Sequence, residues 1–140
     1  MQFDASIHRC AIIVNQDLAL GLAMNAASII GVGIGNKITQ LIGNDLMSAD
    51  NIYYPGVISA SLPILKSSPE RIKQIQKEIA EHEDIYILPF SLIAQSCKSY
   101  DDYTQKLTNT LDQEIQLAAI GLVGNKNSIN KLTGNLSLFK

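Results

Sequence analysis

Cys10-Ala11-Ile12-Ile13-Val14 is an unbroken apolar run, and it limits the folds open to this chain more than any other feature. A strand with one wet face alternates apolar and polar side chains. A run without a polar position belongs to a strand covered on both faces. The polar loop Asn15-Gln16-Asp17 follows at once, and then a small-residue, apolar stretch from Gly21 to Gly33. Strand, short loop and helix in that order open an α/β unit. Such units place a binding crevice beyond the carboxyl end of the strand, beside the helix N-terminus.

The alternation continues along the chain. Residues 9–14 read as the first strand and residues 21–33 as the first helix, ended by the Gly31-Val32-Gly33-Ile34-Gly35 run, because glycine weakens a helix interior and suits its terminus. Residues 36–61 form a long connection with turn signals at Asn44-Asp45, Asp50-Asn51 and Pro55-Gly56. Residues 62–66 read as a second strand. Ser68-Pro69-Glu70 then supplies a cap, a first-turn proline and an acid for a helix whose buried stripe is Ile72, Ile75 and Ile79. Residues 84–90 are a third strand, which Pro89 ends or confines to an edge. Ser91 caps a short helix through Cys97. Ser99-x-x-Asp102 opens another helix, carrying Tyr103, Leu107 and Leu111 on one side. Residues 115–123 are the fourth strand, again fully apolar. A helix near residues 127–132 and an extended piece at 136–139 close the chain. The expectation is a single α/β domain over residues 1–140: three layers, α/β/α, around a four-stranded mixed sheet.

Composition narrows the function classes. A chain of 140 residues that is 46% apolar can bury a core of its own. With a net charge of −2 and no clustered lysines or arginines, it lacks the basic face that phosphate backbones require, which argues against a nucleic-acid partner. Cys10 and Cys97 have no Cys-x-x-Cys spacing and read as reduced thiols of a cytoplasmic protein, Cys97 being the more accessible candidate for redox or nucleophilic work. The start lacks a secretory signal. Residues 18–34 carry no charge but are short for a span and include Asn25 and Ser28, so no membrane partner is expected. His8 and His82 are far apart and form no His-x-x-x-His pair, so no metal site is expected, and His82 reads as a helix-end residue. The glycine run follows a helix where a dinucleotide fingerprint must precede one, so no cofactor is expected either.

The candidate site is a crevice at the first strand-to-helix turn, taking a small molecule of unknown identity. Asn15, Asp17 and Gly21 shape the loop, and Asp17 caps the helix or fixes the turn. Asn25, one turn into an apolar helix, needs a hydrogen-bond partner and finds it in the loop or in a ligand. Ser91 and Gln95 follow the third strand and reach the same end of the sheet, and Tyr54 supplies a wall. No residue is assigned a catalytic role.

Several of these segments, taken in order, are similar to a known family. Residues 10–18 with Gly21, Asn25 and Ala26-Ala27, then Tyr54-Pro55-Gly56, Leu88-Pro89-Phe90-Ser91 and Tyr100-Asp101-Asp102-Tyr103, resemble the bacterial domain-of-unknown-function family numbered two thousand. That resemblance implies the fold of type II peptidyl-tRNA hydrolases, a fold that often pairs into homodimers. Residues 129–139 resemble the tail of those hydrolases too. The match stops at the chemistry. Asp17-Leu18, Gly21 and Ala26-Ala27 fit the hydrolase pattern, but its lysine positions hold Leu22 and Met24, its glutamine position Ser28 and its histidine position Gly31. The later Asp-Ala-Gly-Arg-Thr segment has no counterpart, Asp112 being a loose match. Cations for phosphate and a base for the ester are therefore missing from the matching places. The resemblance implies the fold without the activity. Two other readings stand beside small-molecule binding: a hydrolase of esters or amides using Asp17 or Ser91 in another way, and an interaction module with exposed apolar surface around Ile34, Ile38 and Leu41.

Overall fold

The computed structural model describes all 140 residues. Strand β1 (His8–Asn15) leads into helix α1 (Leu20–Lys37), a 3₁₀ turn (Thr39–Leu41) and a small hairpin of β2 (Leu46–Met47) and β3 (Tyr53–Tyr54). Then come β4 (Ile64–Ser67), α2 (Pro69–Ile79), β5 (Ile85–Ser91), α3 (Leu92–Ser96), α4 (Tyr100–Thr108), a second 3₁₀ turn (Asp112–Glu114), β6 (Leu117–Asn125), α5 (Lys126–Thr133) and β7 (Ser137–Leu138). The main sheet has the order β5-β6-β1-β4-β7; β1 and β4 are parallel, and the other neighbours are antiparallel.

The sheet is mixed, as expected, but has five strands instead of four. The closing extended piece becomes β7 by pairing Leu138 with Leu65 and Ser137 with Lys66. Two separate cores explain why residues 10–14 of β1 and 117–124 of β6 are apolar without a break. Cys10, Ile12 and Val14 face α1, whereas Ala11 and Ile13 face the side held by Ile72, Ile75 and Ile79 of α2 and Ile129 and Leu132 of α5. Alternate residues of one strand thus enter opposite cores. One helix covers one face and two cover the other.

Helix α1 continues through the glycine run that was expected to end it. Packing overrides local preference there. Ile30 and Ile34 are fully buried, and Gly121 of β6 lets them seat against the sheet: a Cβ at Gly121 would lie 2.5 Å from Ile30 Cγ2. Gly33 likewise makes room for Leu88 of β5, whose Cδ2 would lie 2.4 Å from a Cβ at that position. The helix ends only at Lys37, with the Ile38 amide donating to Ile34 at 2.8 Å. No helix is long and apolar enough to cross a membrane.

The caps at Ser68, Ser91 and Ser99 form as their spacing predicts. Each hydroxyl accepts from the amide three residues on, at 3.1, 3.0 and 3.1 Å. Leu111 falls beyond the end of α4 and is exposed, so it does not extend the stripe of Tyr103 and Leu107.

Candidate functional site

The carboxyl ends of β1, β4 and β5 lie along one edge of the sheet, because these three strands run the same way. Asn15 stands beside Ser67, and Ser91 opposite Leu117 at the start of β6. Asn15, Ser67 and Ser91 are all buried. Their polar groups are turned inward to the protein. The Asn15 Oδ1 accepts the Asp17 amide at 2.9 Å, its Nδ2 donates to the Leu117 carbonyl at 3.4 Å, and the Gln16 amide donates to the Ser67 carbonyl at 3.0 Å. Asn15 therefore fixes the turn, one of the two roles expected of Asp17. Asp17 does not cap α1 either. The cap position is Ala19, which offers no side-chain acceptor, so the first amides of α1 are left to solvent. Gly21 is exposed in that first turn, with nothing within 4 Å of a Cβ built on it.

Asn25 and Gln95 meet directly. Gln95 Nε2 donates to the Leu22 carbonyl at 2.8 Å and to Asn25 Oδ1 at 3.2 Å, tying α3 to α1. These two amides are spent on each other, with Asn25 Nδ2 and Gln95 Oε1 left over. One helical turn further along α1, a groove of about 570 Å³ opens on the far side of this bridge. Ile29, Val32 and Gly33 of α1 form one wall, and Leu88, Pro89 and Phe90 of β5 form the base. Cys97, Lys98, Tyr100 and Tyr103, from the α3–α4 corner, form the other wall. Tyr100 and Tyr103 stack edge to face with ring centroids 5.6 Å apart. Val32 is 73% exposed, on a helix without a charged residue between Leu20 and Asn36.

The groove is electrically quiet. Lys98 is the one charged residue among those that line it. Partial burial pushes the Cys97 thiol above its ordinary value, and the nearby Asp102 carboxylate adds to the push, so Cys97 stays a neutral thiol at pH 7. Cys10, in the core, is pushed up to about 11 by burial alone. Neither cysteine has the lowered pKa that thiolate chemistry needs.

The remaining candidates fall elsewhere. Tyr54 lies on the β2–β3 hairpin, beside a separate surface depression shared with Gly43, Leu46, Gly56 and Val57. Ser91 Oγ is occupied by the Ala94 amide. His8 opens β1 and His82 follows α2, both at the opposite edge of the sheet from Ser91 and Asp17, so no imidazole stands near either. No three His, Cys, Asp or Glu side chains come together as a metal site. Ile34, Ile38 and Leu41, expected as exposed apolar surface, are instead core residues at 1%, 1% and 0% exposure, drawn in by the turn that closes α1 onto the sheet. Exposed apolar residues stand instead along α1, at Leu20, Leu22, Met24, Ile29 and Val32, and around the hairpin, at Leu46, Met47, Ile52, Tyr53, Tyr54 and Val57. The groove walls were missed in the sequence because Ile29 and Val32 are indistinguishable from core residues in a helix that is apolar all round. That even distribution was itself the available signal.

Among solved structures, the chain is similar to a protein of unknown function, Atu0240, from Agrobacterium tumefaciens strain C58. The two are 14% identical over 95% of this chain and 98% of the other, with a TM-score of 0.86, a likeness of fold. No curated protein matches the sequence. The family model described as "Protein of unknown function (DUF2000)" matches residues 8–140, and the chain belongs to that family.

Proposed function

We propose that this protein binds a small, largely apolar organic molecule in the groove between α1 and the β5–α3–α4 side. One observation carries the reading: a groove of about 570 Å³, mostly apolar, stands uncovered between α1 and β5. Ligand pockets commonly enclose roughly 300–1,000 Å³, with apolar walls and a few convergent polar groups. Asn25 and Gln95, expected in a first-turn crevice, bond to each other outside the groove's lining, and the polar side chains of the lining are Lys98, Ser99, Tyr100 and Tyr103. The site thus lies one helical turn along α1 from where strand-end reasoning puts it. The sheet itself reads as a type II peptidyl-tRNA hydrolase-like arrangement. The support for that finer reading is the sequence match at Asp17-Leu18, Gly21, Ala26-Ala27 and residues 129–139, and it brings no hydrolase chemistry with it.

The test is an amide-resolved NMR screen of a metabolite and fragment library, repeated on Val32→Glu. Val32 is exposed, so the substitution leaves the core alone while placing a charge on the apolar wall. Ligands are expected to shift the signals of Val32, Phe90 and Tyr103 and to be lost in the variant. Ligands that bind the variant as well as the parent chain would overturn the proposal.

A further inference from the structure

We propose that the groove selects monoanions: a ligand with an aliphatic or aromatic body and one carboxylate, met by Lys98. The inference rests on the groove reading above and narrows it to one ligand chemistry. Nine of the thirteen lining residues are hydrophobic, which sets the body of the ligand. Lys98 alone among them is charged, and it makes no ion pair. An ammonium with no partner, at the lip of an apolar groove, is complementary to an acid whose body fills that groove.

The neighbouring charges have been dealt with locally. Asp102 reaches Lys106 at 3.4 Å across one turn of α4, which offsets part of its charge. Asp101 is exposed and lies outside the lining, where water and salt screen it. Cys97 remains a neutral thiol at pH 7, and the phenols of Tyr100 and Tyr103 make no side-chain hydrogen bond inside the protein, so they are free to donate to a carboxylate. Lys98 also stands two residues ahead of α4, whose first-turn amides carry partial positive charge toward the same corner. Asp101 and Asp102 offset part of that field, so the lysine is the deciding group. Because it is exposed, the discrimination it confers is modest and sensitive to salt.

The experiment compares acids with alcohols of the same body on the full chain: octanoate against octanol, and naphthalene-2-carboxylate against naphthalene-2-methanol, titrated by calorimetry and amide NMR. At low salt the acid of each pair is expected to bind at least about threefold more tightly than its alcohol. That preference should fade in molar salt. It should vanish in Lys98→Met, which keeps the apolar stem, while the alcohols bind that variant as before. Lys77→Met, on the far face of the sheet, should keep the preference. Equal binding of acid and alcohol by the parent chain, or a preference that survives Lys98→Met, overturns the choice of monoanion and leaves the groove reading standing. If none of the four compounds shifts Val32 or Tyr103, the groove reading fails and the inference falls with it.

Discussion

Gly121 and Gly31 are the same residue under opposite constraints. At Gly121 a methyl group would press into Ile30 and Ile34, whereas at Gly31 it would meet nothing within 4 Å. Gly121→Ala is therefore expected to destabilise the protein by about 1–3 kcal/mol, as overpacked cores do. Gly31→Ala is expected to stabilise it by up to about 1 kcal/mol, through helix propensity and a less flexible unfolded chain. Denaturant unfolding measures both. Equal effects of the two substitutions would mean that α1 does not approach β6 as closely as described. The same logic separates Gly33, pressed by Leu88, from its neighbours in the run. Individual residues explain where α1 lies, and the position of α1 explains why a groove is left beside β5.

The β2–β3 hairpin shows how an exposed element can hold its shape. A short two-stranded ribbon is marginal in water. Here the Asp45 carboxylate accepts the Tyr53 hydroxyl at 2.6 Å and the Gly56 amide at 2.7 Å, and Ser48 accepts the Ile52 amide at 3.0 Å. Asn51 turns the chain at the tip with a positive φ of 67°. The Tyr53 hydroxyl, followed by the Gly56 amide, holds Asp45 below the usual carboxylate range, and Asp45 in turn raises the Tyr53 phenol. A depressed acid stabilises the fold fully above its unfolded value, near ~4, and the effect is lost as pH falls through the lower folded value. A raised phenol stabilises it fully below its unfolded value, near ~10, and the effect is lost as pH climbs through the higher folded value. The hairpin should thus be tightest between those limits. Tyr53 should ionise above the ordinary phenol value in an ultraviolet or NMR titration, and return toward it in Asp45→Asn. A Tyr53 titration unmoved by that substitution would rule out the bond.

How legible such elements are depends on what determines them. β1 and β6 are plain in the letters because both of their faces are apolar, and α2, α3 and α4 because each has a serine cap at the right spacing. The hairpin showed only turn signals, since its strands are two residues long and are defined by Leu46–Tyr54 and Met47–Tyr53 pairing. β7 exists through its pairing with Leu65 and Lys66, which no local pattern encodes. The length of α1 was misread because tertiary packing outweighed the glycines. For the site, the meeting of Asn25 with Gln95 followed from topology, but the groove did not. Which apolar residues of α1 face outward depends on where β5 and α4 come to rest, and that is a property of the assembled layers.

At the scale of the whole molecule, the sheet is protected unequally. α1 alone lies on one face, and α2 with α5 on the other, so the uncovered apolar surface collects along the flanks of α1. The groove occupies the β5 flank, and a smaller apolar slot between Leu20, Met24, Ile64 and Phe139 occupies the other. Pro89 bears on a different hazard. It sits in β5, one of the two border strands, opposite Ile120, and is exposed. A border strand with a full row of amides invites other chains to add to it, and an imino acid leaves a gap in that row. Pro89→Val restores the missing donor within the run Ile85–Phe90, and it should leave the monomer folded while hastening thioflavin-positive aggregation on gentle heating. If the variant stays as clear as the parent, the flanking helices, not the proline, keep this margin from recruiting its neighbours. If it clouds, one ring closes the open side of the sheet against unlimited growth.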